Sequence, residues 1–251
     1  MTRESRVRLD NLLLLRGLAE SRQKARALIL AGWVLVEDKV VDKAGALVPL
    51  SASLRLKEQL PYVSRGGIKL KGALDHFGLK VRDFVVLDVG AATGGFTDCL
   101  LQEGAKKVYA LDVGYGQLAL KLRNDDRVVV IERTNIRHFD GALITEPIDL
   151  AVIDVSFISL KLVLPAVLRL IKDEAYVLAL IKPQFEVSRG EVGKRGVVRD
   201  RDKHERVIKE ISNFCGEIGI SVLGCTPCCL PGPAGNREFF IYGRKRGKGG
   251  C

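Results

Sequence analysis

Three charged residues lie at the ends of strongly apolar segments of this chain. Asp154 follows Leu-Ala-Val-Ile, Lys182 follows Leu-Ala-Leu-Ile, and Glu238 precedes Phe-Phe-Ile-Tyr. A charge beside a buried strand is costly unless it is paired, so we expect Asp154 and Lys182 to meet across neighbouring strand ends. Such a pair can handle a substrate proton. The alternative is an ion pair with a structural role only.

A glycine turn predicts a ligand site at the same edge of the sheet. The stretch from Val85 to Asp112 reads as strand, tight turn, helix and strand, the first β-α-β unit of a parallel sheet. Its turn runs Gly90-Ala-Ala-Thr-Gly94-Gly95. Glycines let the backbone adopt positive φ and approach a ligand closely, and the N–H groups of the following helix offer donors. The turn therefore predicts a nucleotide-like ligand.

The spacing of the residues narrows the choice of ligand. A dinucleotide fingerprint needs glycine at position 92, which is alanine, and no Gly-Lys-Ser/Thr phosphate loop occurs. Asp112, 22 residues after Gly90, ends the second strand, where a carboxylate can accept both ribose hydroxyls of an adenosine. Asn135 follows the third strand, where its amide could reach the adenine edge. The alternative is an ordinary sheet turn with a surface aspartate.

An adenosine site without a pyrophosphate site resembles the S-adenosylmethionine site of class I methyltransferases. The resemblance implies S-adenosyl-L-methionine as the cofactor. The residues assigned to it are Asp88, Gly90, Gly94, Gly95, Phe96, Asp112 and Asn135.

Length and charge set limits on the class of protein. The 251 residues suit one substantial domain plus a small one, and no apolar run approaches the roughly 20 residues of a membrane span. Because Met1 to Arg8 is charged, unlike a signal peptide, we expect a cytoplasmic protein without membrane contact. Of the net charge of +10, residues 1–80 carry +7 and residues 244–251 carry +4. Basic ends around a neutral body favour a polyanionic substrate over ordinary surface charge.

Cysteine and histidine form no complete ligand set. Cys225 and Cys228 have metal-like spacing, but neither a second pair nor a nearby histidine completes a tetrahedral site. We therefore predict reduced thiols and no metal.

The first sixty residues predict two short helices followed by a hairpin sheet. One helix starts at Arg6 and closes near Gly17, and Ser21 caps a second, basic helix that stops at Gly32. Arg8-Leu-Asp10, Ser21-Arg-x-x-Ala25 and Leu28-Ile-x-x-Gly32-x-Val34 resemble the RNA-binding module first known from ribosomal protein S-four. A small helical dimerisation or packing domain is the alternative. The resemblance, together with Arg65 beyond the module, implies RNA contacts from Arg6, Arg8, Arg22, Lys24, Arg26 and Arg65.

The rest of the chain alternates strands and helices. We predict an α/β fold, a Rossmann-like class I methyltransferase with a mostly parallel seven-stranded sheet, preceded by a small α+β RNA-binding domain. The predicted domains are residues 1–60, a linker at 61–63, the catalytic domain at 64–244 and a basic tail at 245–251. Residues 184–199 lack periodicity and follow a strand's carboxyl end, so they are interpreted as either a substrate loop or a plain surface excursion.

Two absences point to a hydroxyl acceptor. Asp154-Val-Ser-Phe157 replaces the Asn/Asp-Pro-Pro-Tyr/Phe motif of exocyclic-amine methyltransferases, and no cysteine stands near the fourth or fifth strand end for attack on a pyrimidine carbon. Lys69, Asp154, Lys182 and Glu238 resemble the catalytic tetrad of FtsJ-type ribose 2′-O-methyltransferases. With the S-four-like module in front, the whole chain resembles the TlyA family, whose members methylate cytidine 2′-hydroxyls in ribosomal RNA and are often labelled haemolysins.

The resemblance implies a role for each member of the tetrad. Lys182 would take the hydroxyl proton as a base or stabilise the alkoxide as a cation, because burial and Lys69 oppose its charge whereas Asp154 favours it. Asp154 would orient Lys182, while Lys69 and Glu238 would position the ribose. The expected partner is ribosomal RNA or a ribosomal subunit, and a monomer is the working expectation. The alternative functions are a ribosome-assembly factor with a non-catalytic cofactor site and a membrane-active haemolysin.

Overall fold

The computed structural model describes residues 5–56 and 61–247. The chain divides into two compact units, Met1–Gln59 and Leu60–Cys251. Residue 60, next to the predicted linker, and residues 248–251 of the predicted tail lie outside the described ranges. No helix within those ranges is both long enough and apolar enough to cross a membrane.

The first unit contains the two helices and the hairpin that the sequence predicts. Strand β2 pairs antiparallel with both β3 and β5, and β1 pairs antiparallel with β4. Ser21 caps the second helix by accepting a hydrogen bond from the Lys24 N–H. The elements are β1 (Arg6–Arg8), α1 (Leu9–Leu15), α2 (Arg22–Leu30), β2 (Val34–Val36), β3 (Lys39–Val40), β4 (Leu47–Pro49) and β5 (Leu54–Leu56).

The first helix begins three residues later than predicted. Arg6–Arg8 form a strand because their backbone pairs with Leu47–Pro49, which lie 39 to 43 residues further along the chain. The Leu9 N–H then donates to the Ala46 carbonyl, and the helix starts there. A local pattern of leucines cannot reveal a pairing partner at that distance.

The second unit is built on a seven-stranded sheet with helices on both faces, as the sequence predicts. Its strand order is β11-β12-β10-β9-β6-β7-β8; β6 to β10 run parallel, β12 runs antiparallel to them, and β11 pairs antiparallel with β12 at the edge of the sheet. The strands are β6 (Val85–Val89), β7 (Lys107–Leu111), β8 (Val128–Ile131), β9 (Leu150–Ile153), β10 (Tyr176–Ile181), β11 (Ile220–Pro227) and β12 (Phe239–Lys245). The helices are α3 (Arg65–Phe77), α4 (Gly95–Gln102), α5 (Leu120–Arg123), α6 (Leu160–Leu170), α7 (Pro183–Glu186) and α8 (Arg201–Glu217).

Each face of the sheet has its own apolar core. Val89, Ile153 and Ile181 point into one core, whereas Val86, Val152 and Leu180 point into the other. Because strands buried on both faces need apolar residues at every position, they appear in the sequence as continuous apolar runs. The apolar runs at residues 128–131, 150–153 and 176–181 predict three strands, and β8, β9 and β10 have these bounds.

The ends of the second unit differ from the predicted boundaries. Tyr62, in the predicted linker, is buried against α3, where a Cβ on Gly67 would come within 2.3 Å of its side chain. The Val63 N–H donates to the Asp98 carboxylate at 2.7 Å. At the other end β12 continues through Lys245, which the sequence places in the tail.

Candidate active site

Sheet topology gathers the three charged strand-end residues at one edge. Asp154 follows β9 and Lys182 follows β10, and these strands are parallel neighbours. Glu238 precedes β12, which pairs with β10 in the opposite direction, so its first residue lies at the edge where β10 ends. Lys69 reaches the same place from α3. The four residues therefore come together as two ion pairs.

Lys182 is held by two partners on the loop after β9. Its Nζ lies 2.6 Å from Asp154 Oδ1, but this contact has the geometry of an ion pair and not of an aligned hydrogen bond. The aligned hydrogen bond from Nζ goes to Ser156 Oγ at 2.9 Å. No role is predicted for Ser156 from the sequence, although it stands two residues after Asp154 in the segment Asp154-Val-Ser-Phe157.

The second pair is more deeply buried. Lys69 Nζ donates to Glu238 Oε2 at 2.6 Å, and the two side chains are 8% and 1% exposed. The segment before β12 covers the carboxylate so closely that a Cβ on Gly232 would lie 2.4 Å from Glu238 Oε1. An ion pair so far from water holds its geometry, because either partner alone would be an uncompensated buried charge.

Two clefts meet beside these pairs. One, of about 490 Å³, is lined by all four charged residues together with Ser64, Arg65 and Phe96. The other, of about 360 Å³, has mainly apolar walls, among them Ile136 and Ile158, and contains Asp112 and Asn135. Gly90, Ala92, Asp154 and Ser156 line both clefts.

The glycines of the turn make room for the protein itself. A Cβ on Gly90, where φ is +87°, would lie 2.4 Å from the Asp154 carbonyl oxygen. A Cβ on Gly94 would meet the Leu122 side chain at 2.3 Å, and one on Gly95 would meet Ser64 Oγ at 2.2 Å. Each glycine thus admits a neighbouring protein segment and so shapes the clefts, and the close approach of this turn to a ligand stays a prediction.

Asp88 is buried below the turn and lines neither cleft. Its Oδ2 accepts a hydrogen bond from Thr97 Oγ1 at 2.6 Å, while no donor among the described residues reaches Oδ1. Burial raises the pKa of Asp88 to about 7, and the nearby carboxylate of Asp154 adds to the rise. Of the residues assigned to a cofactor, Asp88 and Gly94 line neither cleft, whereas the others line one or both: Gly90, Gly95, Phe96, Asp112 and Asn135.

Asp112 and Asn135 stand at the apolar cleft. Asp112 Oδ2 accepts from the Ala92 N–H at 2.8 Å and Oδ1 accepts from the Gly114 N–H at 2.6 Å. A carboxylate has about four lone-pair sites, so roughly two remain for a ligand. Asn135 Oδ1 accepts from the Arg137 N–H at 3.1 Å, which caps a short helical turn, Ile136–His138.

The residues assigned to RNA lie in both units. Arg8 and Arg22 come together at buried Asp10, 2.8 Å and 3.5 Å from its Oδ2, and the hydrogen bond from Arg8 holds the pKa of Asp10 below its usual value. Arg6, Lys24 and Arg26 are exposed. In the second unit, Arg65 lies at the cleft of the two ion pairs and donates to the Pro231 carbonyl at 3.1 Å.

The cysteines remain thiols where the structure describes them. Cys99, Cys215, Cys225, Cys228 and Cys229 are free, and burial raises the pKa of the Cys228 thiol to about 11. Within residues 5–56 and 61–247, no three His, Cys, Asp or Glu residues are arranged to hold a metal ion.

Comparisons with known proteins agree on both units. An FtsJ-like methyltransferase family model matches residues 62–245, and an S4 domain model matches residues 7–52. The chain is 45% identical over 239 residues to the 16S/23S rRNA (cytidine-2′-O)-methyltransferase TlyA of Mycobacterium tuberculosis, covering 94% of this chain and 89% of the relative. It is 47% identical over 244 residues to YqxC, a candidate rRNA methyltransferase of Bacillus subtilis, covering 96% and 87%. A solved candidate hemolysin from Streptococcus thermophilus superposes with a TM-score of 0.75 at 44% identity, covering 97% and 90%.

Gly90→Ala tests the close approach of the turn to Asp154. We expect it to lower the free energy of unfolding at least twice as much as Gly219→Ala, measured by urea denaturation. Gly219 has a similar φ of +91° but open space around its Cβ position. The control variant therefore loses only the stability that an alanine costs in a left-handed backbone conformation, about 1–2 kcal/mol. Equal losses in the two variants would show that the Asp154 carbonyl exerts no steric constraint.

Asp88→Asn tests the buried carboxyl. Because folding raises its pKa from 3.8 to about 7, the native state binds the proton more tightly, and stability is lost as pH rises through that window. The Asn variant has no proton to lose. Its stability relative to the original protein should therefore increase from pH 4.5 to pH 8 in urea denaturation, whereas exposed Asp126→Asn should give a constant offset. A constant offset for Asp88→Asn would refute the assignment.

Proposed function

The chain belongs to the TlyA group of the FtsJ-like methyltransferase family, and we propose that it transfers a methyl group from S-adenosyl-L-methionine to the ribose 2′-hydroxyl of a cytidine in ribosomal RNA. The observation that carries this proposal is the convergence of Lys69, Asp154, Lys182 and Glu238 beside an apolar cleft that contains an aspartate.

The two clefts fit the two ends of S-adenosylmethionine. The apolar walls suit an adenine ring, Asn135 stands where an amide meets its edge, and Asp112 retains lone pairs for both ribose hydroxyls. Gly90, Ala92 and Asp154 line both clefts, so the boundary is where a sulfonium between the adenosyl and methionine ends belongs. The anionic Asp154 is favourable beside a cation there. When bound, this cofactor supplies an electrophilic methyl group.

Lys182 is the group to which we assign the proton of the ribose hydroxyl. The ion pair with Asp154 and the hydrogen bond to Ser156 fix the position of Nζ, so the lysine side chain is already ordered before the substrate binds. To accept the proton, Nζ must be a neutral amine at that moment. If it stays an ammonium, it instead stabilises the developing alkoxide, as a donor held in a water-poor cleft does.

Lys69 and Glu238 position the ribose in this proposal. Their buried ion pair ties α3 to the start of β12, and both residues line the same cleft as Lys182. Arg65 at that cleft, and Arg6, Arg8, Arg22, Lys24 and Arg26 in the S4 unit, supply positive charge for the RNA backbone. Such contacts position the polymer without reading its sequence. The proposed site of action is the cytoplasm, where ribosomes are modified.

Two other functions predict different outcomes. A ribosome-assembly factor that binds RNA and cofactor without turnover would not need two lysines paired with two carboxylates at the boundary of the clefts. A membrane-active haemolysin would need an apolar segment for the bilayer, and the described ranges hold no helix that could span one. Transfer of tritium from labelled S-adenosylmethionine to ribosomal subunits distinguishes the three, since only the enzyme labels RNA.

Lys182→Ala is expected to lower methyl transfer to ribosomal subunits by about 10³-fold or more, because it removes both the proposed proton acceptor and the cation that could stabilise the alkoxide. Cofactor affinity, measured by calorimetry, should change by less than about threefold, since the proposed adenosine contacts lie at Asp112 and Asn135. Lys161→Ala is the matched control, because that lysine is paired with Glu210 on the outer side of α6. Transfer by Lys182→Ala at the original rate would refute the tetrad assignment.

Lys182→Arg separates the two roles of the lysine. An arginine remains charged at every accessible pH, so it can stabilise an alkoxide but cannot accept the proton. We expect it to be as inactive as Lys182→Ala, in line with a proton acceptor. Activity well above that of the alanine variant would assign the purely electrostatic role.

Asp112→Ala tests the adenosine assignment. The variant loses the two hydrogen bonds that the carboxylate would accept from the ribose hydroxyls, and it leaves the Ala92 and Gly114 N–H groups without their acceptor. We therefore expect the affinity for the cofactor, measured by calorimetry, to fall by about 100-fold or more. Asp126→Ala, an exposed aspartate, provides the control. Unchanged affinity in Asp112→Ala would place the adenosine elsewhere.

A further inference from the structure

A third pocket lies on the segment between β10 and α8, outside the two clefts of the proposed active site. It measures about 490 Å³, and its charged lining residues are Arg195, Arg199 and Lys203 together with Glu191 and Asp200. From the sequence, residues 184–199 are interpreted as either a substrate loop or a plain surface excursion. Its charge, the geometry of its turn and its attachment to the rest of the unit decide between them.

The segment is basic within a neutral region of the chain. Residues 188–203 contain six Lys or Arg against three Asp or Glu, a net charge of +3, although residues 81–243 as a whole carry −1. Two of the acids are occupied. Glu191 pairs with Arg206 at 2.5 Å, and Asp200 accepts from the Asp202 N–H as the cap of α8. Arg195 and Arg199 have no ion-pair or hydrogen-bond partner among the described side chains, and both are exposed.

Arg195 occupies a turn position that favours glycine. The Gly196 N–H donates to the Gly193 carbonyl at 3.1 Å, and Arg195, third in this four-residue turn, has φ +62° and ψ +22°. Such a turn has φ > 0 at its third residue, where glycine or asparagine fits without strain. An arginine there is strained, and strain of this kind collects at functional positions. The turn thus carries an arginine side chain at its third position despite the cost in backbone strain.

Buried side chains hold the base of this turn against the strand that follows Glu238. Asn236, which is 2% exposed, accepts from the Val198 N–H and donates to the Gly196 carbonyl, both at 2.9 Å. Buried His204 contacts the Val198 carbonyl through Nε2 at 2.8 Å. Because Asn236 lies two residues before Glu238, the turn is fixed relative to the tetrad, unlike a free surface excursion.

We propose that Arg195 and Arg199 form a phosphate-binding subsite for the RNA strand whose target ribose lies at the tetrad. The inference rests on the proposed function. Guanidinium groups bind phosphate oxygens through two parallel N–H donors, and unpaired ones lose no protein partner on binding. A fixed turn at the carboxyl edge of the sheet can register the backbone of the RNA while the S4 unit provides affinity from a separate domain.

Arg195→Gly is the decisive variant, because it removes the guanidinium and the backbone strain together. If the subsite exists, the affinity of the variant for ribosomal subunits should fall about tenfold at 100 mM salt. The subunits are purified from bacteria that lack this protein. The slope of log K against log salt should become shallower by about 0.7 to 0.9 for the lost phosphate contact. The midpoint of thermal unfolding should stay level or rise. Unchanged affinity and slope, or a lower midpoint, would overturn the proposal.

Two further variants and one parallel measurement keep the outcomes separate. Arg195→Lys retains the charge and should keep the salt slope, and Arg201→Ala, which removes an exposed arginine paired with Glu205 nearby, should keep both slope and methyl transfer. A loss in Arg201→Ala equal to that in Arg195→Gly would overturn the subsite in favour of diffuse charge. Methyl transfer by the original protein is measured alongside. Transfer without any Arg195 effect refutes only the subsite, and an Arg195 effect without transfer refutes only the proposed function.

Discussion

The burial of two lysine side chains at one edge of the sheet is the constraint on which the rest of the second unit depends. The side chains of Lys69 and Lys182 are 8% and 11% exposed, and an unpaired ammonium in such surroundings would be very costly. Each lysine therefore needs a carboxylate nearby, and the sheet topology provides it. β9 and β10 end side by side, which brings Asp154 next to Lys182. β12 runs the other way, so its first residue pairs with the last residue of β10 and Glu238 lies at the same edge of the sheet.

The glycine turn serves the same arrangement. Gly90 lets the backbone after β9 approach the turn, and this contact fixes the position of Asp154. Gly95 lets the start of α3 approach the turn, which brings Lys69 and Arg65 to the cleft. The cleft is thus shaped by contacts between protein segments. Small residues at a ligand site need not touch the ligand, and their substitution acts first on the walls of the site.

Much of this could be predicted from the sequence, and the failures have physical causes. Strands buried on both faces leave continuous apolar runs, and a charge at the end of such a run is conspicuous, so Asp154, Lys182 and Glu238 stood out. Strand β1 did not, because its three residues pair with a partner far along the chain. The burial of Asp88 and the tether through Asn236 were equally hidden, since both depend on which segments pack together in three dimensions.

The order of the elements along the chain has a consequence for synthesis. Every residue that lines the apolar cleft is translated before residue 164, whereas the partner of Lys69 arrives only at residue 238. A nascent polypeptide halted between those points has the residues of the apolar cleft but lacks the carboxylate that pairs with Lys69. The pair therefore forms only once the strand between β10 and β11 has been made, and a product cut short by a premature stop codon before residue 238 carries Lys69 without its carboxylate partner.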